Sequence, residues 1–149
     1  MNGFIRGAAL AAALSLSGLS VAQAQTAQRV YDNGTVWAIS YVETKPGMFD
    51  DYMAYLNTSW KQSQELAKKA GDVISYRVLA VDNPRDHEPD VVLLVEFKNM
   101  AVFDRSLDDL DKQTSTVFGS PVKSNQAAVS RESIRVLRGS YLAREVKFK

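Results

Sequence analysis

His87 is the only histidine in the chain, and it stands among acids: Asp86, Glu88 and Asp90 lie within three positions of it. Such a group would suit a metal by residue type. It falls, however, in a stretch bounded by Pro84 and Pro89, and zinc or haem sites assemble several ligands on rigid elements. With no second histidine and no cysteine in 149 residues, the plainer reading is a solvated loop histidine, no metal and no other cofactor. A Ser-His-Asp triad would have to use the same histidine, and no serine near it sits on a nucleophile elbow. The lack of cysteine removes thiolate nucleophiles, iron–sulfur clusters and disulfides. Paired catalytic carboxylates, a phosphate loop, a metal-binding helix and a nucleotide fingerprint are missing as well. No catalytic set is recognisable.

Two other groups of side chains suit binding. The first is aromatic: Trp37, Tyr41, Tyr52, Tyr55, Trp60, Tyr76 and Tyr141. Tyr41 and Trp60 could line a pocket for a flat or apolar ligand, held by stacking and a phenolic hydrogen bond. For any one of them ordinary core packing is the simpler role, since aromatics dominate cores. The second group is charged and lies in segments that read as strands: Arg77, Glu96, Arg135 and Arg138. A buried charge must be paired. Glu96 bridging to an arginine of the last strand, within the chain or across a dimer, is one solution; an anion-accepting pocket in which arginine grips a carboxylate is the other. Tyr41, Trp60 and Arg77 are the candidate ligand-binding residues.

These side chains need elements to hold them. Residues 35–43 are β-branched and aromatic, a strand profile. Lys45-Pro46-Gly47 breaks it. Phe49, Met53, Leu56, Trp60, Ser63 and Ala67 then recur at steps of three and four, which predicts a helix over about 48–70 ending at Gly71. Strands follow at 73–82 and 90–98, separated by the polar loop with its two prolines, and the pair reads as a hairpin. Asn99 caps a second helix, expected to run unbroken over 100–118 with the stripe Phe103, Leu107, Leu110, Thr114 and Val117. Ser120-Pro121 restarts a helical turn, predicting a short helix to Arg131. Residues 133–148 read as a long fourth strand with a bulge or bend at Gly139. The order is β-α-β-β-α-β, an α+β ferredoxin-like arrangement: a four-stranded antiparallel sheet with its helices on one face. Val91, Leu93, Val95 and Phe97 occupy one alternate set of their strand, and Val92 and Leu94 the other. A sheet open to water on one side alternates more cleanly, so the helix-free face is expected to be covered, most simply by a second copy of the chain.

The first residues have a different purpose. Arg6 precedes an apolar run rich in alanine and leucine, and Ala22-Gln23-Ala24 supplies the small residues a signal peptidase requires. The run is shorter than the roughly 20 residues that span a bilayer. Residues 1–24 therefore read as a cleavable signal peptide of bacterial style, giving a periplasmic or secreted protein. Residues 25–34, with the turn pair Asn33-Gly34, read as a flexible segment, and 35–149 as a single domain. The 18 basic and 17 acidic side chains become equal once Arg6 is removed. That balance makes no electrostatic case for nucleic acid or for an anionic membrane.

With Lys45-Pro46-Gly47 leading into an aromatic-rich helix (Phe49, Tyr52, Tyr55, Trp60), and with Phe97 leading into Asn99-Met100-Ala101-Val102-Phe103, the chain resembles the dimeric α+β-barrel superfamily. Its members include antibiotic-biosynthesis-monooxygenase-like and NIPSNAP-like domains, and the resemblance covers about residues 35–148. The resemblance implies two sheets packed face to face and a small-molecule pocket between each sheet and its helices. It spans cofactor-free oxygenases, haem-degrading enzymes, dismutases and proteins without known activity, so fold does not select among them. Haem-degrading relatives use a histidine on the second-helix side of the pocket, and this chain has none there. Three readings follow: a homodimer that binds a small apolar or aromatic molecule; a cofactor-free monooxygenase-like enzyme on an aromatic substrate; and a structural interaction module whose pocket is filled by its own side chains.

Overall fold

The computed structural model describes residues 28–149. The proposed signal peptide and its cleavage point lie outside them. Strand β1 (Tyr31–Thr44) is followed by helix α1 (Phe49–Tyr55), a π-helical turn (Leu56–Trp60) and helix α2 (Lys61–Lys69). Strands β2 (Val73–Ala80) and β3 (Val91–Phe97) come next, then a 3-10 turn (Met100–Asp104), helices α3 (Leu107–Phe118) and α4 (Pro121–Arg131), and strand β4 (Arg135–Phe148). All strand pairs are antiparallel, in the order β2-β3-β1-β4. The expected hairpin of β2 and β3 is present.

Parity along the strands sets the two faces. Val36 and Val42 of β1 and Val91, Leu93 and Val95 of β3 point to the helices and are buried. Tyr52 and Leu56 pack on Val42, Val91 and Leu93, while Ala67 packs on Val73 and Val95. Trp60 touches both clusters and joins them into one core layer. The opposite set, with Trp37, Ile39 and Tyr41 of β1 and Val92 and Leu94 of β3, lies on the face without helices and is only half-buried.

Three expectations are corrected. Residues 31–34 are not a loose lead-in: they belong to β1, where Tyr31 pairs with Phe148 and Asn33 with Val146. Asn33-Gly34 marks a register shift, not a chain-reversing turn. Gly34 is required there because a Cβ would lie 2.8 Å from that of Glu145 on the neighbouring strand. The helix expected over 100–118 is broken. Asn99 caps only the 3-10 turn, Arg105 and Ser106 are extended, and the Ser106 side chain accepts from the Asp109 amide to start α3 afresh. The first helix contains a π-turn that apolar periodicity does not signal. Thr58 and Ser63 donate their hydroxyls to carbonyls one turn back in this region, a local competition with regular helix bonding. The expected irregularity at Gly139 is present: Tyr41 pairs with Gly139, yet Val42 pairs with Leu137.

Candidate functional site

A cavity of about 210 Å³ opens between the sheet and the helices. Val42, Leu93 and Leu137 form its floor, and Tyr52, Tyr55 and Trp60 form a wall from the first helical stretch. Arg131, the last residue of α4, and Arg135, the first of β4, close the remaining side. The π-turn helps to place the aromatic wall. Over eight residues an unbroken α-helix would carry Trp60 about 80° away from Tyr52, and the wider turn takes up part of that rotation.

The polar groups of this cavity are unusual. Arg131 lies over the ring of Tyr55, 4.6 Å from its centroid. Arg135 reaches Glu132 at 3.4 Å through Nη2, and its side chain is 13% exposed. The Nη1 atoms of both arginines are buried without a hydrogen-bond partner. Burial pushes the phenol of Tyr52 up to about 12, although the charge of Arg135 opposes the shift. Burial also raises the pKa of Tyr55, against the charge of Arg131. Both phenols are therefore neutral donors near neutral pH.

The three candidate residues do not converge. Trp60 lines the cavity, with its ring edge-on to Tyr76 at 5.3 Å. Tyr41 is on the other face of the sheet, its hydroxyl 2.9 Å from that of Tyr141. Arg77 is on that other face too, its guanidinium 6.0 Å from the Trp37 ring centroid. Tyr41 pairs with Val92 and Arg77 with Leu94, on the set of β3 that points away from the helices, so Tyr41 and Arg77 cannot share a helix-side pocket with Trp60. Nor does Glu96 bridge to β4 within the chain. Strand β1 lies between β3 and β4, and Glu96 accepts instead from Thr35 at 2.9 Å and Ser75 at 2.7 Å. Arg138 pairs with Glu43 beside the exposed ring of His87, whose Nδ1 is 3.2 Å from the guanidinium. Among the described residues no three His, Cys, Asp or Glu side chains gather as a metal site needs.

Residue spacing missed Tyr52, Tyr55 and Arg131 as a set with Arg135. The signal was weak but present: Arg131 and Arg135 straddle the junction of α4 and β4, and the tyrosines share the helical stripe of Trp60.

The strand order and the helix layer decide the architecture. The fold is ferredoxin-like. HapK from Hahella chejuensis shares it, with a TM-score of 0.50 at 8% identity over 74% of this chain and 91% of HapK. A dimeric ferredoxin-like protein from an uncultured marine organism superposes with a TM-score of 0.49 at 10% identity, covering 79% of this chain and 90% of that one. A dimeric protein of unknown function and ferredoxin-like fold from Bacteroides fragilis gives 0.37 at 20% identity, covering 78% and 97%. At 8% identity the likeness to HapK speaks for fold alone. No family model matches the sequence, and neither does any curated protein.

Proposed function

We propose that this is an exported, homodimeric α+β-barrel protein that holds a small apolar or aromatic molecule between its sheet and helices. The carrying observation is the cavity walled by Tyr52, Tyr55 and Trp60, which the protein's own side chains leave open. A structural module would have filled it. The apolar floor and aromatic wall with a few polar groups are what small-molecule sites require. The homodimer is supported by the other face of the sheet. Trp37, Ile39, Tyr41, Val92 and Leu94 form a contiguous apolar surface there, and Leu79 and Tyr141 extend it at 47% and 50% exposure. A second copy offers the same apolar surface about a two-fold axis, and the balanced charge of the processed chain adds no net repulsion. Export is supported by the charge, apolar run and Ala22-Gln23-Ala24 of the leader.

The test is native mass spectrometry of the full chain expressed with its own leader and recovered from a bacterial periplasm. The expected species is a dimer of chains beginning at Gln25, carrying an added small mass or taking up benzyl alcohol on titration. An unprocessed chain would overturn export, and a monomer would overturn the covered sheet. A dimer that takes up no apolar or aromatic molecule would overturn the pocket.

A further inference from the structure

The cavity has an electrostatic feature that an apolar ligand does not explain. Among the described residues, only two buried side-chain nitrogen or oxygen atoms lack a partner: Nη1 of Arg131 and Nη1 of Arg135. Both residues line the same cavity. A buried donor on a charged group is costly to leave unpaired, and native proteins pair such atoms with few exceptions. Two exceptions at one cavity are therefore informative.

The nearby acids do not meet the need. Glu132 touches Arg135 only through Nη2, at 3.4 Å, and is itself 60% exposed. Asp90 on the sheet side is engaged by Thr44, whose amide donates at 2.8 Å and whose hydroxyl donates to the second oxygen. The Arg131 guanidinium carbon lies 4.6 Å from the Tyr55 ring centroid, a cation–π contact that leaves its Nη1 without an acceptor. Tyr52 and Tyr55 add neutral phenols.

We infer that the cavity is an anion site for a small aromatic carboxylic acid, in which Arg131 and Arg135 hold the carboxylate and Tyr52, Tyr55 and Trp60 enclose the ring. The inference rests on the helix–sheet pocket proposed above and names its ligand class. Carboxylate is the natural partner of an arginine fork, and the walls select a flat apolar body over a bare inorganic anion. Size agrees. A cavity of about 150 Å³ accepts benzene, and the cavity here, about 210 Å³, has room for one ring and a carboxylate.

Isothermal titration of the processed protein with benzoate and with its neutral counterpart benzyl alcohol tests this. Benzoate is expected to bind at least tenfold more tightly than benzyl alcohol. Arg135→Gln should weaken benzoate at least tenfold and leave benzyl alcohol within about twofold, because the alcohol carries no charge for the guanidinium to hold. Arg131→Gln should act in the same direction, and it keeps the test decisive if Arg135→Gln fails to fold by circular dichroism. Equal affinity for the two probes, or benzoate binding that survives both substitutions, would overturn the anion site while leaving the apolar pocket intact. Binding of neither probe would overturn both.

Discussion

The phenol of Tyr52 is enclosed between the first helix and the sheet, with its pKa pushed up to about 12 by burial and held back in part by Arg135. The pH dependence follows from that shift. Below pH 10 the phenol is neutral in both folded and unfolded chains, and its contribution to stability is fully present. Between about 10 and about 12 the unfolded chain ionises first and binds fewer protons, so stability falls as pH rises. At about 1.4 kcal/mol per pKa unit the loss reaches at most about 3 kcal/mol. Urea unfolding at pH 9 and pH 11.5 should show the wild type losing more stability than Tyr52→Phe over the same interval. Equal losses would show that Tyr52 ionises freely in the fold. At this scale the sequence showed which side chains were available but not their company. Trp60 lines the cavity between sheet and helices, whereas Tyr41 spends its hydroxyl on Tyr141 across β1 and β4.

The break between the 3-10 turn and α3 shows how one side chain sets an element's limits. Ser106 accepts from the Asp109 amide at 3.2 Å and donates its hydroxyl to the Asp109 carboxylate at 2.8 Å. That hydrogen bond is the main reason the Asp109 carboxyl is held below its usual range. Arg105, just before the cap, pairs with Asp72 at 2.8 Å and with Gln113 at 2.9 Å, tying the break to the end of the first helical stretch. Ser106→Ala should therefore cost about 1 kcal/mol in chemical denaturation, with little change in the affinity of the distant cavity. A loss below about 0.3 kcal/mol would mean that the cap is dispensable. The apolar stripe from Phe103 to Val117 runs through this break in the sequence, yet Leu107 on it is 78% exposed, because periodicity records spacing and not whether the backbone is continuous or the face is covered. The break is marked by the Ser106 cap, which the apolar period does not register. At the far end, Gly119 takes a left-handed φ of 85°, where a side chain would be strained, and Ser120-Pro121 opens α4 as its residue types predict.

For the whole molecule, the helix-free face of the sheet is where the proposed dimer would form. Ile39 lies on the same side as Tyr41, opposite Leu94 on β3 and Tyr141 on β4. A lysine at Ile39 would place a charge in the middle of the proposed interface, where burial without a partner is costly. Ile39→Lys should shift the protein from dimer to monomer in sedimentation velocity at micromolar concentration, with its circular dichroism retained. Val129→Lys, on the 74% exposed surface of α4, should leave the dimer unchanged. A dimer that persists in Ile39→Lys would remove this face as the interface. The ion pair of Arg138 with Glu43, and the hydroxyls held by Glu96, lie on the same side and pair these charged groups within one chain.

The sequence by itself determined the order of strands and helical stretches, the hairpin, the two alternate apolar sets of β3 and the irregularity near Gly139. Each of these follows from local propensity, turn chemistry or a repeating apolar period. The tertiary structure decided which face each side chain joins. Parity in β4 reverses at the register shift: Leu137 pairs with Val42 on the helix side, whereas Tyr141 pairs with Ile39 on the other. Without that shift the two would share a face, because side chains alternate with a period of two. Arg135 and Leu137 reach the cavity for this reason, and Tyr141 stays outside it with Tyr41. A one-residue change of register is invisible to composition and to helical or strand periodicity. It is fixed only when the strand meets its neighbour and the two faces bury different partners.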